Sequence, residues 1–308
     1  MPFDVVIPTI GRPSLEALLN SLARSRGELP ERVILVDDRR DTEAALDLSG
    51  VDERVRSRTG VVRGKARGPA AARNTGWHAS SAQWIAFLDD DVVVDDDWLE
   101  RAAADIAQLQ DNEAGSQGRV RVPLPDDRRP TDWERNVSGL QSSAWITADM
   151  IYARAVLEEL GGFDERFRRA YREDADFALR VFEANYRIAQ GTRGITHPVR
   201  AADPWVSVRL QAGNADDVLM YAKHGAHWRN RARAPRGRWP YHLATVLFFT
   251  GWAALTADFA WRRIAPGPRT PKEIVTLLAT SAVIPFAAVY HRTRALLAIS
   301  ALLRKGAQ

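Results

Sequence analysis

The chain reads as an α/β protein: a doubly wound, mostly parallel, Rossmann-like sheet followed by an apolar and basic helical region. Three observations predict this. Short apolar runs alternate with amphipathic stretches through the first half of the chain. Two of those runs end in aspartates, Asp37-Asp38 and Asp89-Asp90-Asp91, and a sheet of this kind binds ligands beyond the carboxyl ends of its strands. From Arg229 onward the composition shifts to arginine clusters separating long apolar segments.

Taken in order, Phe3 to Ile7 is an apolar strand ended by Pro8. Ser14 is expected to cap a helix through about Ala23, with Leu15, Leu18, Leu19 and Leu22 on one face. Val33 to Val36 is a second strand and Val61-Val62 a short third. Pro69 opens a helix to about Ala79, with proline in the first turn where its missing N–H costs nothing. Trp84 to Leu88 is a fourth strand that runs straight into three carboxylates. Further on, Arg119 to Val122 and Trp145 to Tyr152 look strand-like, and Pro123 to Trp133 is a polar, proline-rich loop, a candidate lid. Ala155 to Leu160 is a helix stopped by Gly161-Gly162, and the run from Arg172 to Arg180 is helical.

The 308 residues are 45% hydrophobic and 27% charged, enough for one large domain and an appendage. Cysteine is absent, which excludes disulfides, thiolate zinc sites and a cysteine nucleophile. The net charge is +4, and no basic and aromatic interleaving marks a nucleic-acid module, so no nucleic-acid partner is expected. Met1-Pro2-Phe3-Asp4 lacks the basic start of a signal peptide.

Three adjacent carboxylates repel one another. A hard cation such as Mg²⁺ or Mn²⁺, held by one or two of them and by substrate phosphates, would relieve that repulsion. The alternative is a solvated acidic turn ahead of the helix expected near Asp97. Glu173 and Asp174 begin a helix, where the dipole stabilises negative charge, so simple charge capping competes with a chemical role.

Six pieces in one order carry a resemblance: Val5-Val-Ile-Pro-Thr9, Val36-Asp-Asp38, Ala72-Arg-Asn74, Phe87-Leu-Asp-Asp-Asp91, Gly161-Gly-Phe-Asp-Glu165 and Arg172-Glu-Asp-Ala-Asp176. Over roughly residues 3 to 198 the chain resembles the family 2 glycosyltransferases of GT-A fold. The resemblance implies an inverting, metal-dependent transfer from a nucleotide diphosphate sugar to a hydroxyl of a glycan or lipid-linked acceptor. It implies that Pro8, Thr9, Asp37, Asp38, Arg73, Asp89 and Asp90 receive the nucleotide sugar. Asp89 and Asp91 would be the DxD pair, with Asp91, Asp89 and His197 as candidate ligands to Mn²⁺ or Mg²⁺. Asp174 would be the catalytic base and Glu173 its neighbouring acid. The chain departs from the family at Arg39-Arg40, where Gly-Ser is common; these arginines are either exposed on a loop or cationic contacts to a phosphate or acidic sugar. A nucleotidyltransferase would need a lysine in the loop Thr9 to Pro13, which is absent. A noncatalytic, membrane-bound assembly partner would have no need of Asp91 and Asp174.

The domain boundary is placed near Arg229, giving a catalytic domain over 1–228 and a helical region over 229–308. Tyr241 to Trp261 and Ile274 to Tyr290 are apolar, the second broken by Pro285 and near the lower limit of about 17 residues for a spanning helix. The basic residues between them and on both flanks do not satisfy the positive-inside rule for two spans. A hairpin lying in or dipping into the cytoplasmic leaflet, against an anionic membrane surface, fits better. A soluble helical subdomain or oligomer interface is the alternative.

Overall fold

The computed structural model describes residues 2–248 and 251–304. In chain order the first elements are β1 (Phe3–Thr9), α1 (Ser14–Arg24), β2 (Val33–Asp37), α2 (Glu53–Arg56), β3 (Thr59–Arg63), α3 (Pro69–His78) and β4 (Trp84–Leu88). Then come β5 (Val93–Val94), α4 (Trp98–Gln108), β6 (Glu113–Arg121), α5 (Asp132–Ser138), β7 (Asp149–Ala153), α6 (Arg154–Glu159), α7 (Glu173–Glu183) and β8 (Arg187–Thr196). The rest is helical: α8 (Val206–Arg209), α9 (Asn214–His224), α10 (Trp228–Arg231), α11 (Trp239–Leu247), α12 (Trp252–Ile264) and α13 (Pro271–Arg304). The chain forms two compact units, 1–122 with 140–198, and 123–139 with 199–308. The second unit thus begins upstream of Arg229 and takes in the proline-rich loop.

The first unit holds one sheet in the order β3-β2-β1-β4-β7-β6-β8-β5. Strands β3, β2, β1 and β4 are parallel, whereas β7 runs antiparallel to both β4 and β6. The parallel strands are apolar without alternation because helices cover both faces; Val5, Val6, Ile7, Ile34, Leu35, Ile85 and Phe87 are all inaccessible to solvent. Pairing of β1 with β4 ends at Val6 and Phe87, while pairing with β2 continues to Thr9 and Asp37. Pro8, with no N–H to give, sits beyond the β4 ladder, where its loss is harmless. The two strands therefore part at their carboxyl ends, at the point where strand order reverses, and the acidic residues follow immediately.

Two local expectations change. Ser14 is the first residue of α1, Pro13 stands at the cap, and the Ser14 hydroxyl caps nothing. Pro285 does not break the C-terminal helix; α13 runs continuously from Pro271 to Arg304. Proline removes one backbone bond, but packing of one helix face outweighs that loss.

In the second unit, α13 packs against α8, α9, α11 and α12. The Tyr241 to Trp261 segment is split between α11 and α12, and Phe249 and Thr250 lie outside the described residues. A capping box starts α5: Glu134 accepts from the Thr131 backbone at 2.7 Å, and the Thr131 hydroxyl accepts from the Glu134 N–H at 3.2 Å. Arg128 anchors the preceding loop on Glu134 at 2.6 Å, and together these contacts pull the Glu134 carboxyl down to about 2. Arg263 of α12 is buried and donates to Asp132 (2.7 Å), Ser207 (3.0 Å), Thr280 (2.9 Å) and Ser281 (2.9 Å). A cavity of about 460 Å³ opens beside α5 and the start of α13. Of its acids, Asp132, Glu134 and Asp203 are paired with arginines and Glu273 accepts from the Asp132 N–H.

Candidate active site

The parting of β1 and β4 is held by a latch. The Thr9 hydroxyl donates to Asp90 at 2.7 Å, and Arg12 meets the other Asp90 oxygen at 2.5 Å. Asp90 is buried, so the middle aspartate of the three turns inward and shapes the loop. Its neighbours face elsewhere. Asp89 takes a 2.8 Å hydrogen bond from Arg73 and is one-third exposed. Asp91 lies 3.5 Å from Nε2 of His197, the residue that follows β8. The His197 backbone N–H is fixed on Arg121 at 2.7 Å, and its Nδ1 is buried without a hydrogen-bond partner. Among the described residues no set of three or more Asp, Glu or His side chains is gathered as a complete metal cage.

At the end of β2 the two aspartates differ. Asp37 is chelated by Arg39, through Nε at 2.8 Å and Nη2 at 2.6 Å, which holds its carboxyl below the ordinary range. Of the two loop arginines, Arg39 is thus half-buried on the carboxylate of its own neighbour, whereas Arg40 is exposed. Asp38 accepts from the Gly68 N–H at 2.9 Å through one oxygen, while the other is buried and unpaired. A Cβ on Gly64 would come within 2.5 Å of that oxygen, so the glycine leaves the space beside it open.

Arg73 connects the strand ends to α7. It is 2% exposed and donates to Asp89 at 2.8 Å and to Glu173 at 2.9 Å. Asn74 clamps the backbone of Phe163 in both directions, each at 2.8 Å. Arg180 of α7 reaches the Leu160 and Gly162 carbonyls at 2.7 and 2.6 Å. Gly162 has φ +66 and lies so close to Asn74 that a Cβ would fall 2.4 Å from the amide oxygen. The Gly-Gly-Phe turn is therefore pinned from α3 and α7 together, and the first turn of α7 is set against Arg73. Asp176 is fully buried and paired with Arg180 at 3.1 Å, away from Asp174.

At that helix start, Glu173 and Asp174 are adjacent. Burial and the charge of Asp174 push Glu173 up to about 8 against the pull of Arg73. Burial also raises Asp174, opposed by the Ala175 N–H and by Arg73. One Glu173 oxygen and the Arg73 Nε are buried without partners.

The family described as glycosyl transferase family 2 matches residues 4–173, more than half of the chain. The chain belongs to that family. A curated relative of this family 2 glycosyltransferase, the pre-mycofactocin glycosyltransferase of Mycobacterium tuberculosis, is 30% identical over 136 residues. That match covers 40% of this chain and 28% of the relative, so it spans under a third of the relative's length. Two solved structures share the GT-A fold. TarS of S. aureus in complex with UDP-GlcNAc gives a TM-score of 0.52 at 18% identity, covering 95% of this chain and 91% of the other. The mannosyltransferase PcManGT of Pyrobaculum calidifontis, in complex with GDP-Man and Mn²⁺, gives 0.58 at 18% identity, covering 94% and 86%.

Several residues of this glycosyltransferase carry the site without having been legible as doing so. Arg12 and Arg180 position the loops, and Arg39 silences Asp37. A second buried arginine, Arg193, donates to Asp149 (2.7 Å), Asp105 (2.9 Å) and both oxygens of Ser116 (2.7 Å each). Trp98 donates to the other Asp149 oxygen at 2.9 Å. The sole sequence signal was an arginine between glycines inside a strand, Gly191 to Gly194, where bulky neighbours would fill its space.

Proposed function

We propose that this glycosyltransferase moves a sugar from a nucleoside diphosphate donor to a hydroxyl of a glycan or lipid-linked acceptor. The transfer inverts the anomeric configuration, uses a divalent metal, and takes place at the cytoplasmic face of the membrane. The observation that carries the reading is Arg73, which ties the donor-side Asp89 to Glu173 beside Asp174. Arg73 is then both a cation near the diphosphate and the spacer that sets the base against the donor.

Asp174 takes the proton of the acceptor hydroxyl as that oxygen attacks the anomeric carbon from the face opposite the diphosphate. The new C–O bond forms as the bond to the diphosphate breaks, so configuration inverts. A carboxylate raised by burial is the better base for this step, provided it is ionised. Glu173, raised by burial and by the charge of Asp174, keeps one buried carboxyl oxygen unpaired beside that base, a place for an acceptor hydroxyl. Asp38 offers its unpaired oxygen to the nucleoside, next to the space left by Gly64. Thr9, Asp90 and Asp37 act one step back, holding the rim.

The donor set also suits Mn²⁺ or Mg²⁺. Asp91 and His197 place a carboxylate and an imidazole side by side and would hold the ion, with Asp89 of the same loop as the third candidate and donor phosphate oxygens as further ligands. Such an ion would offset the charge that grows on the departing diphosphate. The Mn²⁺ in the PcManGT complex supports the same reading.

Calorimetric titration with UDP and GDP, with and without Mn²⁺, tests the donor and metal together. Binding of one of them should require Mn²⁺, and Asp91→Ala should abolish that Mn²⁺-dependent binding. Equal affinity without the ion, or an unchanged ion requirement in the variant, contradicts the metal site.

A further inference from the structure

Helix α13 has two faces of different character. At about 100° per residue, Leu277, Thr280, Ser281, Ile284, Ala288 and Ala295 share one side, and all are buried. Val275, Leu278, Val283, Phe286, Tyr290 and Leu297 fall within an arc of about 140° on the other side, and all are exposed, Leu297 by 83%. An apolar stripe of this length on a free surface implies something that covers it.

The charges say what. Among the described side chains of α13 the one acid, Glu273, is turned inward and accepts from the Asp132 N–H at 2.9 Å. Lys272, ahead of the apolar stripe, and Arg294, within its last turns, are exposed and lie on or beside its side of the helix. A stripe without acids, flanked by cations toward each end, complements an anionic lipid surface better than another protein face of this chain. By length and hydropathy Pro271–Ile299 would also suffice to cross a membrane. The opposite face argues against that. Thr280 and Ser281, in the third turn of the helix, accept from the buried guanidinium of Arg263, which is itself paired with Asp132. Spanning would strip α13 from α9, α11 and α12 and carry that ion pair, or a broken half of it, into hydrocarbon.

We infer that α13 is a monotopic anchor, lying in the plane of an anionic membrane with its Val275 to Leu297 stripe in the lipid and its Thr280 face kept on the protein. The inference refines the membrane location proposed above and does not depend on the transfer chemistry. Trp261, 60% exposed on α12 with Arg269 5.7 Å from its ring, is an aromatic of the kind that settles at head groups.

The chain has no cysteine, so a single introduced thiol is unique. Full-length protein carrying Leu278→Cys, Phe286→Cys or Leu297→Cys is spin-labelled and mixed with phosphatidylcholine vesicles, with and without about one-third phosphatidylglycerol. Unfolding temperature and circular dichroism confirm that each variant is folded. The expected result is binding that needs phosphatidylglycerol, with all three labels at a similar shallow depth. Leu278→Glu and Phe286→Glu should each lower vesicle partitioning about tenfold, and Lys272→Glu and Arg294→Glu about fivefold each at low salt. A Phe286 label at the bilayer centre, with its neighbours at opposite leaflets, would mean that the helix spans and overturns the inference. Folded protein that ignores the vesicles and forms a dimer dissolved by Phe286→Glu overturns it equally, in favour of a second copy on the stripe. Donor binding, measured separately, can persist in any of these cases.

Discussion

Two regions of the α/β unit bury an arginine among carboxylates, and they do so differently. Around Arg193 every polar group is matched: Asp149 takes Trp98 and Arg193, Asp105 takes the Thr192 backbone and Arg193, and Ser116 takes the remaining donors. Around Arg73 the matching is incomplete. Its Nε and one Glu173 oxygen are buried and unpaired, Asp89 is partly open, and Asp174 adds a charge that the arginine does not cancel. An unpaired buried polar atom costs roughly 1–3 kcal/mol. A ligand can complete such a defect, which supports reading the first cluster as architecture and the second as the proposed site.

The largest expected effect lies at Asp174. In Asp174→Asn the shape is retained but the amide cannot take a proton at useful basicity. Transfer should fall by about 10²- to 10⁴-fold while donor affinity stays within a few fold. Initial rates with a competent acceptor, beside calorimetry with the donor nucleotide, check both halves. A variant that turns over at the parent rate would reduce Asp174 to a helix-start charge and remove the contrast between the two clusters.

The next effect separates the arginines directly. Arg193→Met leaves Asp149 and Asp105 buried without their counter-charge, and should cost about 3–5 kcal/mol in urea unfolding. Arg73→Met should cost less, roughly 1–3 kcal/mol, because Asp89 reaches water and Glu173 simply keeps its proton. Transfer, however, should be lost in Arg73→Met. If the two variants unfold alike, incomplete pairing is no guide to function here.

Much of this was legible beforehand, and the rest was hidden for definable reasons. The parallel strands announce themselves because burial on both faces demands unbroken apolar runs, as in Ile85 to Leu88. Pro69 marks the start of α3 because only the first turn tolerates it. Which carboxylate stays open is another matter. Asp37 and Asp38 look equivalent in sequence, as do Asp89, Asp90 and Asp91. Arg39 closes one and the Thr9–Arg12 latch another, and the direction from which those side chains arrive is a tertiary fact. Arg193 was invisible because its partners lie at Trp98, Asp105, Ser116 and Asp149, brought together by strand order alone. Pro285 misled because a rule about isolated helices was overridden by a packed face.

The smallest effect is a pH dependence at the Arg73 cluster. Glu173 moves from an ordinary value of 4.5 to about 8 on folding. A group whose folded pKa is raised binds more protons in the folded state across that interval, so stability must fall as pH climbs from about 4.5 to about 8. Glu173→Gln removes the titration but keeps an oxygen for Arg73. Its unfolding free energy should therefore vary less over the same interval, and the difference between parent and variant should grow toward the alkaline end. Because Asp174 is coupled to Glu173, the midpoint belongs to the pair, and it is the slope that the experiment reads. Urea titrations of parent and variant at several pH values measure this. A parent curve that rises with pH across the interval would mean that Arg73 already cancels both carboxylates, and the two buried arginines would then be alike.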